Sequence, residues 1–171
     1  MNAHNITPKM KYDINTFINK VRVHEGLVLT VYKDTLGIDT IGIGRNLQDR
    51  GISKEELDHM DIPSMDAVYE HGITEEDAYY LATNDIAIVE KELARAKPCV
   101  YDLDAVRQLI VMDMAFNMGV PRLCKFKKMW AAIEAGDFDT ASVEMLDSRW
   151  ARQVKSRATK LSDAMKKGEF V

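Results

Sequence analysis

One long helix, predicted over residues 75–96, constrains the fold of this chain more than any other feature. Thr74 can cap its start, and the acidic residues Glu75, Glu76 and Asp77 complement the positive end of the helix dipole. Lys97-Pro98 ends it. An apolar stripe runs along it at helical spacing: Ala78, Leu81, Ala82, Ile86, Val89 and Leu93. Such a helix would be about 30 Å long, which is enough to join two lobes, although a surface helix of a single domain fits the same pattern.

The segment before this helix predicts a first helix followed by a β-hairpin. The first helix is expected to end at Glu25, because Gly26 readily adopts the left-handed conformation that stops a helix. Residues 29–32 then predict a short strand, 34–37 a turn and 40–44 the returning strand. Asp34 should therefore lie at the tip of a hairpin that folds back over the end of the first helix. The apolar residues of that helix repeat at helical spacing: Ile14, Phe17, Ile18 and Val21. Gly42 and Gly44 lack side chains where another chain, such as a sugar polymer, could approach the backbone.

Two further segments predict helices. Residues 52–57 predict a short helix with Ser53 as its cap, and residues 62–65 break it. After Tyr101, apolar residues indicate a helix that is buried on most sides: Val106, Leu109, Ile110, Met112, Met114 and Phe116.

Two carboxyl groups in different surroundings are the minimum set for cleaving a glycosidic bond by acid–base catalysis. Taken singly, Glu25 could simply end a helix, Asp34 could bind its own turn, and Thr40 could favour a strand. The combination is more specific. Glu-Gly-x-x-Leu-x-x-Tyr-x-Asp, followed by Gly-x-x-Thr-Ile-Gly-x-Gly, fixes about ten positions within some twenty residues.

This motif resembles that of the phage lysozymes, the endolysin family typified by the T-even phages and classed as glycoside hydrolase family 24. Other blocks resemble the family in the same order and span nearly the whole chain. Residues 72–78 resemble the start of its long interdomain helix, and 100–107 and 115–119 its central buried helix. Residues 148–150 and 157–158 resemble its C-terminal segment.

The resemblance implies a mostly α, α+β, lysozyme-like fold with two lobes. A flexible N-terminal extension would cover residues 1–13, and a small lobe with the catalytic hairpin would cover 14–74. The interdomain helix would cover 75–96, and a C-terminal helical lobe 97–171.

By the same resemblance, Glu25 is the general acid, Asp34 the second carboxylate, and Thr40 helps to hold the attacking water. Arg157 matches an arginine that faces the catalytic glutamate, and burial would keep Glu25 protonated. Positions that match substrate-binding residues are Gly44, Phe116 and Arg149. No metal or cofactor is implied.

The sequence also departs from the family. Its best-known members have a histidine where Arg45 stands, paired with an aspartate that matches Asp85. We expect Arg45 and Asp85 to form an ion pair that supports the fold and does not titrate near neutral pH. Asn46, Met129 and Glu144 differ from the glycan-contacting residues at their positions, so the preference for glycan is not carried over with the motif.

The expected activity is hydrolysis of the β-1,4 bond between N-acetylmuramic acid and N-acetylglucosamine in bacterial peptidoglycan, with inversion, leading to lysis of the host cell. The polar N-terminus does not resemble a signal peptide. The resemblance implies a monomer without a membrane anchor, held in the host cytoplasm until a holin, as for phage endolysins, releases it to the cell wall in the periplasm. A catalytically silent peptidoglycan-binding module and a helical interaction protein remain as alternatives.

Composition agrees with a globular protein and disfavours other classes. At 171 residues the chain can bury a core, and it has no apolar run long enough to span a bilayer. The net charge is −8 over residues 1–114 and +4 over 115–171, which suits an acidic polymer but also ordinary solvated helices. The basic residues are scattered and no phosphate-binding loop is present, which disfavours nucleic acid. Cys99 and Cys124 are predicted to be reduced.

Overall fold

The computed structural model describes residues 8–170. The fold is mostly helical α+β, with a three-stranded antiparallel sheet near the N-terminus, then a long helix and a helical C-terminal part. The elements in chain order are α1 (Ile14–Glu25), β1 (Val28–Lys33), β2 (Asp39–Gly42), β3 (Arg45–Asn46), α2 (Lys54–His59), α3 (Met65–His71), α4 (Glu75–Ala96), a 3-10 helix (Pro98–Asp102), α5 (Ala105–Met118), α6 (Val120–Leu123), α7 (Lys127–Glu134), α8 (Phe138–Leu146), α9 (Arg149–Val154) and α10 (Ser156–Lys167).

The described chain divides into two compact units. One comprises residues 13–88, and the other comprises 8–12 together with 89–170. Among the residues described, no helix combines the length and the apolar character needed to cross a membrane.

In the unit of residues 13–88, the predicted ends of α1 are confirmed. The Asp13 side chain accepts a hydrogen bond from the Thr16 amide, and α1 stops at Gly26, whose φ is +78° and whose N–H donates to the Arg22 carbonyl. The sheet has the order β1-β2-β3, with Tyr32 opposite Thr40 and Thr40 opposite Asn46. The face of the sheet that does not carry Tyr32 and Thr40 contributes to a core of buried residues: Ile41, Ile52, Met60, Val68, Ile73, Ala78 and Leu81.

Two helix starts in this unit follow the sequence prediction, and one helix was not predicted. Ser53 caps α2 through a capping box with Glu56, and Thr74 accepts from the Asp77 amide at 3.1 Å at the start of α4. The sequence predicted only a break at residues 62–65. Instead the chain forms α3, because the Ser64 side chain accepts from the Ala67 amide and caps a second short helix.

In the other unit, α5 is buried on most of its surface, as its apolar residues predicted. Residues 8–12 join this unit: the Lys11 Nζ donates to the carbonyls of Tyr101 (3.0 Å) and Leu103 (2.8 Å), and the Tyr12 hydroxyl binds Glu90. Residues 1–7 of the predicted flexible extension lie outside the described residues. Lys11 and Tyr12, at its end, belong to the packed structure.

Candidate active site

The Glu25 side chain lies against the backbone of Gly44, in the turn between β2 and β3. A Cβ added at Gly44 would stand 3.0 Å from Glu25 Oε2 and 3.3 Å from Glu25 Cβ and Cδ. The sequence predicted that Gly44 leaves room for a sugar chain. In the structure the space that its missing side chain leaves is next to the candidate general acid.

The Asp34 carboxylate organises the turn between β1 and β2. Its Oδ1 accepts hydrogen bonds from the amides of Leu36 (2.8 Å) and Ile38 (2.9 Å), and its own amide donates to the Ile38 carbonyl. Oδ1 is thereby committed to the turn, as the structural interpretation of this residue expected. The second oxygen, Oδ2, has no contact of this kind and remains available for chemistry.

Tyr32 and Thr40 form a row across the sheet, on the face opposite the core. They are directly paired between β1 and β2, so their side chains point to the same side. The Thr40 hydroxyl donates its proton to the Ile38 carbonyl at 3.0 Å, which leaves its lone pairs as acceptors. Thr40 is buried, with only 5% of its surface exposed.

The row lies between the two carboxylates. Asp34 is bonded to Ile38, just before the start of β2, and Glu25 lies against Gly44, just after its end, so Thr40 falls between these two contacts along the chain. The electrostatics agree: burial raises the pKa of Tyr32, and the negative charges of Glu25 and Asp34 raise it further.

One expectation about this site is wrong. Burial was expected to keep Glu25 protonated, but Glu25 is exposed in the structure. The reason is its position: it is the last residue of α1 and lies over a glycine that contributes no side chain to cover it.

Replacing Gly44 with alanine should lower activity more than a general loss of stability explains. The new methyl group would push against the Glu25 carboxyl, and the φ of +72° would be strained. Gly136 has the same φ of +72° with nothing within 4 Å of an added Cβ, so Gly136→Ala is a matched control. We expect both variants to lose about 1 kcal/mol in urea unfolding, and only Gly44→Ala to lose wall-lysing activity. Equal activity in the two variants would contradict the role of this contact.

Arg45 lies at the centre of a buried charged cluster beneath the sheet and is only 2% exposed. The expected pair with Asp85 is present: Arg45 Nε donates to Asp85 Oδ2 at 3.0 Å. The sequence did not predict the second partner, Glu56, which accepts from both terminal nitrogens at 3.0 Å each. The carbonyls of Gly51 and Leu81 accept the remaining protons, so all five guanidinium N–H groups are bonded. The Ser-x-x-Glu spacing of residues 53–56, a capping-box signature, was the available signal for Glu56.

Glu56 should make the stability of the protein sensitive to acid. Burial alone would raise its pKa, but hydrogen bonds from Arg45, the Ser53 amide and Asn84 lower it from 4.5 to about 2. Because the folded pKa is depressed, this stabilisation is complete above pH 4.5 and is lost as the pH falls towards 2. Asp85 has the opposite effect on the pH dependence of stability, since burial raises its pKa despite the charges of Arg45 and Arg50.

The Glu56→Gln variant isolates this effect. We expect it to be less stable than the unaltered protein at pH 7, and the difference to shrink by up to about 3 kcal/mol between pH 4.5 and pH 2. Urea unfolding of both proteins at a series of pH values measures it. A difference that does not change with pH would show that ionised Glu56 has no special stability in the fold.

The remaining candidate residues belong to the unit of residues 89–170. Phe116 is half-buried on α5, and Arg149 is exposed at the start of α9. Arg157 binds Asp113, which is buried on α5, and Arg157 Nε is buried with no hydrogen-bond partner among the described residues. The sequence did not predict Asp113 as a partner. The expected role of Arg157 at Glu25 stays a prediction.

This unit also contains a cavity of about 390 Å³ with charges of both signs. Two of the residues that depart from the family, Met129 and Glu144, lie in its wall. The other lining residues are Lys125, Phe126, Lys127, Lys128, Asp147 and Ser148.

No group of three or more His, Cys, Asp or Glu side chains in residues 8–170 is placed to share a metal ion. Cys99 and Cys124 are free thiols, as predicted.

Comparison with known proteins gives a consistent result. The family model described as phage lysozyme matches residues 22–166. "Probable T4-type lysozyme 1" of Dictyostelium discoideum is 28% identical over 166 residues, covering 91% of this chain and 96% of that protein. "Probable T4-type lysozyme 2" of the same organism is 26% identical over 163 residues, with the same coverage. The "Pre-baseplate central spike protein Gp5" of Enterobacteria phage T4 is 31% identical over 156 residues, which are 83% of this chain but only 26% of that protein.

Proposed function

Because the chain belongs to the phage lysozyme family, we propose that it is a muramidase. It hydrolyses the β-1,4 bond between N-acetylmuramic acid and N-acetylglucosamine in bacterial peptidoglycan. The observation that carries the proposal is the order of groups around β2: Asp34 is bonded to Ile38 just before the strand, Glu25 lies against Gly44 just after it, and the Thr40 hydroxyl lies between them. A muramidase needs an acid and a base on opposite sides of one sugar.

In the proposed reaction, Glu25 donates its proton to the glycosidic oxygen as the bond to the anomeric carbon breaks. Asp34 takes a proton from a water that attacks the same carbon from the opposite face. Thr40 accepts the other proton of this water in a hydrogen bond, because its own proton is already donated to Ile38. A bound sugar would cover Glu25 and exclude the solvent that reaches it in the free protein.

We propose an inverting outcome. Inverting enzymes hold their carboxyl groups about 6.5–9.5 Å apart so that a water fits, whereas retaining enzymes hold them about 5 Å apart. Asp34 is bonded to Ile38 before one end of β2 and Glu25 contacts Gly44 beyond the other, so the proposed water at Thr40 lies between the two carboxyl groups.

We further propose that Gly44, Phe116 and Arg149 bind glycan, and that Arg157 supports Glu25. The basic side chains of residues 115–171, where the net charge is +4, would favour an acidic polymer.

Digestion of purified peptidoglycan tests the function. New reducing ends on N-acetylmuramic acid, identified by mass spectrometry of the products, are the expected result. Binding to walls without any cleavage would instead favour a catalytically silent wall-binding module. Neither binding nor cleavage would favour a helical interaction protein.

The biological role proposed for this activity is that of an endolysin: a monomer that stays in the host cytoplasm until a holin permeabilises the membrane. Expression of the chain in a Gram-negative bacterium tests this. Culture turbidity should stay constant until chloroform is added to permeabilise the inner membrane, and should then fall rapidly. Lysis without permeabilisation would contradict the dependence on a holin.

A further inference from the structure

Tyr32 belongs to the candidate active site by its position, although the sequence marked it only as part of a motif and a strand. It stands directly opposite Thr40 in the sheet and two residues before Asp34. Its side chain is half-buried, and no hydrogen bond of its hydroxyl is found among residues 8–170. The hydroxyl is not one of the buried atoms that lack a partner in these residues, so a water molecule can reach it. The site therefore has an unused donor beside the group that is proposed to hold water.

The Tyr32 hydroxyl also differs from the neighbouring side chains of Asp34 and Thr40 because it can donate a hydrogen bond. Asp34 can only accept hydrogen bonds when ionised, and Thr40 has already given its proton to Ile38. Burial raises the pKa of Tyr32, and the charges of Glu25 and Asp34 raise it further, so the phenol stays protonated over the working pH range. Tyr32 is thus the neutral donor of this row.

We propose that Tyr32 is a positioning residue that donates its hydroxyl proton to the attacking water held by Asp34 and Thr40. This inference rests on the proposed function. The water donates one proton to Asp34 and the other to Thr40, and one of its lone pairs accepts from Tyr32. The single lone pair that remains points to the anomeric carbon. During attack the proton passes to Asp34, and Tyr32 keeps its own proton throughout.

Tyr32→Phe tests the inference, because it removes the hydroxyl and keeps the ring. We expect kcat on purified peptidoglycan to fall about ten-fold, with KM within about two-fold and the thermal midpoint unchanged. Tyr69→Phe is the matched control: the Tyr69 hydroxyl donates to Asp39 at 2.8 Å in the same unit, and Asp39, next to Thr40 in β2, faces the other side of the sheet. Its kcat should equal that of the unaltered protein.

A double-variant cycle separates a shared water from two independent roles. If Tyr32 and Thr40 hold the same water, Tyr32→Phe combined with Thr40→Val should lose less than the product of the single losses. The inference is overturned by an unchanged kcat in Tyr32→Phe, by a raised KM alone, by a loss that follows reduced stability, or by multiplicative losses. If the unaltered protein itself leaves peptidoglycan intact, the proposed function fails instead.

Discussion

Replacing Glu25 with glutamine should remove nearly all cleavage of peptidoglycan while the protein stays folded. Glutamine has the same shape but has no proton to give to the leaving oxygen, and general acid catalysis typically contributes 10²- to 10⁴-fold. Glu25 is exposed at the last position of α1, so the substitution should change the free energy of unfolding by less than about 0.5 kcal/mol. Rates of wall lysis and urea unfolding measure the two effects.

Glu134 offers a control for this change. It is also an exposed glutamate at the last position of a helix, α7, in the unit that does not contain the two carboxylates. Glu134→Gln should keep full activity and stability. If Glu25→Gln still cleared walls at the rate of this control, Glu25 could not be the acid.

The largest loss of stability is expected from Arg45→Ala, at about 3–5 kcal/mol. The substitution removes the buried cation that Glu56 and Asp85 share, and only the partly exposed Arg50 still faces these two carboxylates. These two carboxylates lie in the cluster beneath the sheet and are not part of the row formed by Tyr32 and Thr40. Activity of the molecules that remain folded should therefore be preserved at low temperature, measured per folded protein by circular dichroism and wall lysis.

Arg50 provides the comparison within the same cluster. It also binds Asp85, through Nε at 3.0 Å, but its side chain is 33% exposed. Arg50→Ala should cost no more than about 1 kcal/mol, because a partly exposed ion pair is screened by solvent. Loss of activity in Arg45→Ala at unchanged stability would refute a purely structural role for Arg45.

The parts of the fold that the sequence predicted are those with local causes. The stop of α1 at Gly26 and the caps of α2 and α4 depend on residues within one turn of the helix end. The register of the sheet does not depend on such local residues. The sequence placed the turn at residues 34–37, but Lys33 pairs with Asp39, so the loop extends to Ile38. A one-residue difference in register decides whether Tyr32 shares a face with Thr40.

For the candidate site, the motif singled out Glu25, Asp34 and Thr40, whose catalytic roles stay predictions. The resemblance led to the Arg45–Asp85 pair that the structure contains. The sequence could not show that Glu56 joins this pair, because that contact depends on how α2 packs beneath the sheet. Nor could it show that Glu25 is exposed, since exposure depends on residues brought near by the whole fold.

The anomeric form of the first product tests the central claim most directly, namely that a protonated Glu25 and an ionised Asp34 act across a gap that holds a water. Proton NMR during digestion of a β-1,4-linked peptidoglycan oligomer would record it before mutarotation. We predict that the new N-acetylmuramic acid end first appears as the α-anomer. First appearance as the β-anomer would mean that the two carboxylates act by a covalent route, and would contradict the geometry proposed for this site.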